Sequence, residues 1–238
     1  MKTTAKWQVI LGLFVVAAIA GPIQSAAADA PAASLSFTIH VLNYAGVGPQ
    51  TLAEAEKVAS RIFLKAGVVS QWIDAPLTEQ DLQKASVDQQ SVGLSQIWLS
   101  LLPRTMSDRM SIPAGVTGLA PGAGPDRFLA YVFYNRVEEL RRKQIAAMLS
   151  SAAATHASVG QILGGAMTHE IGHILLNLAV HSKTGIMQGS WNLDVLDAIG
   201  CDHLYFTKEQ EKVMQAEVAR RVPMKKILAP AADLDAGF

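Results

Sequence analysis

Cysteine is nearly missing from this chain of 238 residues. Cys201 stands alone, so no intrachain disulfide can form and the fold must rest on its apolar core. An excess of charge of either sign is missing too. Twenty Lys and Arg face twenty Asp and Glu, which leaves no electrostatic footing for nucleic acid or an anionic membrane surface. Long apolar runs are also lacking. The stretch from Val9 to Ala20 is well short of the ~20 residues that a membrane-spanning helix needs. What the chain does have is a 50% share of hydrophobic residues and only 17% charged ones. That composition suits one generous domain with a sizeable core.

Part of the apolar excess belongs to the N-terminus. Lys2 and Lys6 make a basic start, Val9 to Ala20 an apolar centre, and Gly21-Pro22 a break. Small residues follow at Ser25-Ala26-Ala27-Ala28. This is the layout of a secretory signal peptide, with cleavage expected after Ala28. The expected division is a signal over residues 1–28, a catalytic domain over 29–222 and a loosely ordered tail over 223–238. Removal of 1–28 takes two lysines and no acids, so the formal charge moves from 0 to −2. A secreted or periplasmic protein without disulfides, free of the membrane once cleaved, is expected.

Periodicity outlines the domain. Leu35, Phe37, Ile39 and Val41 alternate with Ser36, Thr38 and His40, which predicts a strand over 34–42. Thr51-x-x-Glu54 has the form of a capping box opening a helix whose apolar face is Leu52, Ala55, Val58, Ala59, Ile62 and Phe63; Gly67 ends it. Strands are expected at 68–73, 94–102 and 128–134, and a helix at 137–149. Between them lie a polar loop at 75–92 and a Gly- and Pro-rich segment at 104–127 with a short extended piece at 116–120. Ser158-x-x-Gln161 opens a helix that runs to about Leu176, where Asn177 can take the left-handed conformation. A loop follows to about Trp191. Thr207-x-x-Gln210 opens a last helix with Val213, Met214, Val218 and Val222 on its apolar face. Strands mixed with helices predict a single compact α/β (α+β) domain.

His169-Glu170-Ile171-Gly172-His173 reads H-E-x-x-H. On a helix, positions i and i+4 share a face, so two imidazoles can bind one zinc ion. The glutamate beside the first can take the proton of a water held there. Two histidines and a glutamate in so apolar a stretch would be costly to bury without a metal. Hydrolytic zinc usually takes three protein ligands. His181 is the nearest candidate for the third, with Asp194, Asp197 and His203 farther along. His40 is expected on a solvated strand face, His156 in an exposed position and Cys201 as a small buried residue. His203 and Tyr205 are candidates to steady an oxyanion.

His169-Glu170-x-x-His173, then His181-Ser182, then Gly185-Ile186-Met187, resembles the metzincin clan of zinc endopeptidases. More closely, it resembles a family of small exported bacterial proteins with H-E-x-G-H, a later H-S and a G-I-M. Asn43-Tyr44-Ala45, the helix from Ala55 to Gly67 leading to Trp72, and Leu204-Tyr205-Phe206-Thr207-x-Glu209-Gln210 are similar to that family as well. The resemblance implies a zincin domain, a twisted mixed sheet carrying the zinc helix, with His169, His173 and His181 as ligands and Glu170 as the general base. It also implies Met187 as the methionine turn beneath the zinc, and Gly118-Leu119-Ala120 as an edge strand that pairs with an extended peptide or protein substrate. One departure stands out. In metzincins the third histidine lies six residues after the second and a glycine three after it, whereas here those positions are Ala179 and Leu176. His181 comes two residues late.

The expected activity is therefore zinc-dependent endopeptidase. The alternatives are a non-catalytic zinc-containing module of the cell envelope, and a zinc amidase acting on a non-peptide amide, whose metal machinery would be the same.

Overall fold

The computed structural model describes residues 35–75, 95–121, 128–149, 156–178 and 181–221. The chain divides into Met1–Ala32 and Ala33–Phe238, and all described residues lie in the second unit. The expected signal at 1–28, most of the polar loop at 75–92 and the tail at 223–238 fall outside them.

Strand β1 (Ser36–Asn43) leads into helix α1 (Pro49–Lys65) and back to β2 (Val69–Asp74). β1 and β2 are parallel, with Phe37 opposite Ser70 and Ile39 opposite Trp72. On its other side β1 pairs in parallel with β3 (Gln96–Leu102). A short helix α2 (Arg104–Arg109) and the two-residue strand β4 (Gly118–Leu119) follow. β5 (Leu129–Phe133) lies parallel to β3 and antiparallel to β4. The sheet order is β2-β1-β3-β5-β4, so β4 is an edge strand. Helices α3 (Tyr134–Leu149), α4 (Val159–Leu175), α5 (Leu193–Gly200) and α6 (Lys208–Arg221) complete the domain. This is the expected α/β domain with a mixed sheet. No helix among the described residues is long and apolar enough to cross a membrane.

The core forms where one sheet face meets α1 and α4. Phe37, Ile39 and Val41 of β1, Ile97, Leu99 and Leu101 of β3, and Ala130 and Val132 of β5 are buried against Leu52, Ala55, Ala59 and Phe63 of α1. Helix α4 is buried on nearly all sides, from Ile162 and Leu163 to Ile174 and Leu175. Being apolar all round, it is placed by its neighbours rather than by one stripe. Gly164 lets α1 approach closely: a Cβ there would come 2.5 Å from the Ala55 carbonyl oxygen.

Local signals held at two helix starts and failed at one. Ser158 and Gln161 form the reciprocal capping box of α4, and Thr207 and Gln210 form that of α6. Helix α1, however, begins at Pro49 with Gly48 at its N-cap, two residues before the expected Thr51 start. Pro49, with its φ already helical, sits at the first position. α2 and α5 were not expected. The six residues of α2 are too few to show a period, but α5 had a legible signal in Asn192, whose side chain caps Val195, and in Val195, Leu196 and Ile199, which are buried. On α6 the buried face is Gln210, Met214 and Val218, while Val213 is 49% exposed; Val222 lies outside the described residues.

Glu56 of α1 and Asp74 at the end of β2 share a cavity of about 260 Å³ with Val41, Pro49 and Leu52. Burial, then the charge of Asp74 and a hydrogen bond with it, push the Glu56 carboxyl up to about 7. A carboxyl raised this way stabilises the fold while protonated, and that contribution is lost as pH rises from about 4.5 through 7. Glu56→Gln should therefore lessen the fall in melting temperature between pH 5 and 8, by roughly 1–3 °C because solvent screens a half-exposed pair. Thermal scans at the two pH values check this; an unchanged fall would show that the pair contributes nothing.

Candidate metal centre and active site

His169 and His173 stand one turn apart on α4, and a different backbone carbonyl orients each ring. His169 Nδ1 lies 2.8 Å from the Ile186 oxygen and His173 Nδ1 lies 2.9 Å from the Leu178 oxygen. A carbonyl only accepts, so each Nδ1 carries the proton and each Nε2 presents a lone pair. The two Nε2 atoms face each other at 3.1 Å. Two lone pairs at that distance call for a cation between them. Tetrahedral zinc with Zn–N of about 2.0–2.1 Å would set its nitrogens about 3.3–3.4 Å apart, so the pair fits such an ion.

The turn after α4 supplies one of these carbonyls. Leu176 remains helical, and Asn177 takes the left-handed conformation at φ 50°. The Leu178 N–H donates to the His173 oxygen and the Asn177 N–H to the Ile174 oxygen. That is the Schellman pattern, with asparagine in the usual glycine place. It reverses the chain, and His181 comes back over the pair. Its ring centroid is 5.2 Å from that of His169 and 5.0 Å from that of His173, and one ligand atom from each of the three histidines lies within 4.8 Å of the others. The two residues by which His181 is late do not keep it from the cluster.

The segment after His181 closes on itself. The Ser182 N–H donates to the Met187 oxygen, and the Ile186 N–H donates to the Tyr205 oxygen, which holds the Ile186 carbonyl at His169. Met187 is fully buried and lies against Gly172 beneath the helix. Burial lowers the His169 pKa to about 4; the neighbouring His173 and His181 add to the fall, and the bond to Ile186 opposes it. The ring is thus kept neutral, as a metal ligand requires.

Glu170 is buried, and burial alone pushes its carboxyl up to about 8. Its side chain lies directly under β4. A Cβ at Gly118 would come 2.6 Å from both the Glu170 Cδ and Oε1, closer than atoms pack, so the missing side chain is what makes room for the carboxylate. Gly118→Ala should therefore displace Glu170; with Glu170 read as the general base, turnover should fall about 10²-fold, the cost of misplacing such a group, while metal content stays at the wild-type level. Turnover within a factor of three of wild type would show that the carboxylate has space elsewhere.

One cleft of about 320 Å³ takes in Gly118, Leu119, Ala120, Glu170 and all three histidines. The other proposed ligands stand apart from the cluster. Asp194 and Asp197 are on α5, where Asp197 accepts from the Gln144 amide at 3.3 Å. His203 is not among the residues lining the cleft, and neither is Tyr205, whose hydroxyl donates to the Asp202 carbonyl. His40 differs from expectation: it stacks on Trp98 at 4.4 Å, and burial lowers its pKa. Cys201 is exposed rather than buried, at the C-cap of α5. Sequence reasoning missed Trp191, which lines the cleft and meets His169 edge-on at 6.0 Å. Its sole signal was an aromatic residue in an otherwise polar loop.

No protein-family model matches the sequence, and no curated protein matches it. Among solved structures, the crystal structure of archaemetzincin from Methanopyrus kandleri is similar, with a TM-score of 0.44 and 17% identity, covering 80% of this chain and 99% of that one. That likeness concerns the course of the chain and gives no residue here a role.

Proposed function

We propose that this chain is an exported zinc-dependent metalloendopeptidase. The observation that carries the reading is the pair of Nε2 lone pairs 3.1 Å apart, joined by His181 in one cluster and bordered by the buried Glu170 in the same cleft. His169, His173 and His181 would hold the ion. Zinc bound there supplies Lewis acidity, which polarises a substrate carbonyl and lowers the pKa of a water. The Ile186 and Leu178 carbonyls keep the two helix imidazoles in the metal-binding tautomer. Among the described residues no fourth ligating side chain joins the cluster, in keeping with a catalytic rather than a closed structural site.

Glu170 takes the proton of the attacking water on its carboxylate and hands it to the leaving nitrogen. A cation held by the neighbouring histidines would favour the charged carboxylate, the form in which Glu170 can act as a base. β4, the edge strand among the described residues, with Ala120 just beyond it, offers the backbone of Gly118-Leu119-Ala120 to an extended peptide. The resemblance to the metzincins supports peptide as the substrate, and the N-terminal layout supports export to the periplasm or the medium.

The test is metal analysis together with casein hydrolysis. About one zinc per chain is expected, with cleavage lost on chelation and restored by added zinc. Stoichiometric zinc without cleavage of casein or of any member of a peptide library would end the endopeptidase reading.

A further inference from the structure

The His169 ring is buried, and its Nδ1–H finds its acceptor in the Ile186 carbonyl at 2.8 Å. Were that oxygen to move off, the buried N–H would be left unpaired, a costly state. The proton would then favour Nε2, the atom that must present its lone pair to a metal. Whatever fixes the Ile186 peptide therefore acts on the metal site. The Ile186 N–H donates to the Tyr205 carbonyl at 2.9 Å. The approach is close: at Gly185, where φ is 76°, a Cβ would come 2.6 Å from that same oxygen.

Tyr205 does not line the cleft, yet it is held firmly. Its neighbours Leu204 and Phe206 are buried, and a Cβ at Gly172 of α4 would come 3.0 Å from the Phe206 ring. Its hydroxyl donates back to the Asp202 carbonyl. Asp202 takes the left-handed conformation at φ 60° in the turn that ends α5. There the Asp202 N–H donates to the Ile199 oxygen and the His203 N–H to the Ala198 oxygen, a second Schellman pattern. Helix α1 grips this turn from outside. Arg61 pairs with the Asp202 carboxylate, and the Lys65 ammonium lies over the Tyr205 ring, 5.9 Å from its centre. A chain of contacts thus runs from α1 through Asp202, Tyr205 and Ile186 to His169. We infer that Tyr205 is a positioning residue for His169: its hydroxyl fixes the peptide that holds Ile186, and so keeps the imidazole in the metal-binding tautomer. The inference rests on the proposed zinc site and adds to it a residue from outside the cleft.

The test is Tyr205→Phe, which removes one half-buried hydroxyl and keeps the ring. The imidazole nitrogens are read by NMR in the chelated protein, and zinc affinity by competition with a chelator. In wild type the His169 proton should sit on Nδ1. In Tyr205→Phe it should be shared with Nε2, and zinc should bind about tenfold more weakly, the low end of the cost of losing an outer-shell partner. Ser60→Ala is the control. It breaks the 2.7 Å bond from the Trp72 indole to Ser60 on α1, away from the histidines, and should leave both readouts unchanged. A wild-type His169 signal in Tyr205→Phe overturns the inference even if zinc binds more weakly, and so does an equal change in Ser60→Ala. A shifted proton with undiminished zinc affinity bears out the inference and counts against His169 as a ligand. Should the wild type take up no zinc, the zinc reading falls by itself, and the ring signal, recorded without metal, still decides the role of Tyr205.

Discussion

Glu170→Gln should hold zinc as the wild type does and lose peptide hydrolysis by a factor of about 10²–10⁴, the span that a positioned general base contributes. The substitution keeps the size of the side chain, so the space under Gly118 remains filled. It removes the carboxylate oxygen that accepts the proton, and an amide cannot replace it. Zinc should be unaffected because the proposed ligands are the three histidines of the cluster, which the substitution leaves in place. The fold should not suffer either. Burial raises the Glu170 carboxyl to about 8 in the absence of a cation, so the folded protein favours the neutral form, and stability is lost as pH rises from the ordinary carboxylate range through 8. A neutral amide avoids that loss, and the chelated variant should be at least as stable as chelated wild type at pH 8. Metal analysis, melting curves and casein cleavage on the same sample check all three points. Activity within tenfold of wild type would mean that another group takes the proton; loss of zinc would make Glu170 a structural part of the metal site.

His181→Ala should weaken zinc binding by more than the 10- to 100-fold that loss of an outer-shell partner costs, because it removes a ligand rather than a support. The effect should be visible as stability. At free zinc a thousand times the dissociation constant, binding adds about 4.1 kcal/mol to the wild-type fold. A variant weakened 10³-fold keeps only about 0.4 kcal/mol under the same conditions. His181 is exposed and sits in a loop, so its loss leaves the core intact and the chelated proteins should melt alike. Asp194→Ala and Asp197→Ala, placed on α5 away from the cluster, should bind zinc as wild type does. Undiminished affinity in His181→Ala would falsify its place as the third ligand.

The sequence by itself determined what depends on short range. The Ser158 and Gln161 box, the turn at Asn177 and the i, i+4 spacing of His169 and His173 involve residues within a few positions of one another, so helix geometry alone joins them. The alternation of Phe37, Ile39 and Val41 and the face of α1 were legible for the same reason, since each follows one period. The third ligand was open between His181, Asp194, Asp197 and His203, because a loop's path is set by what it packs on rather than by its own residues. The tertiary structure brings His181, and not the other three, beside the helix pair, through the Leu178 turn and the Ile186–Tyr205 pairing. Only the tertiary structure could show that backbone carbonyls fix both imidazole tautomers, since every residue has such a carbonyl and none leaves a trace in sequence. The same holds for the closeness of Gly118 to Glu170 and of Trp191 to His169. Those contacts cross dozens of residues in one case and more than a full helix length in the other, and they exist because the edge strand and the loop before α5 are packed against one central helix.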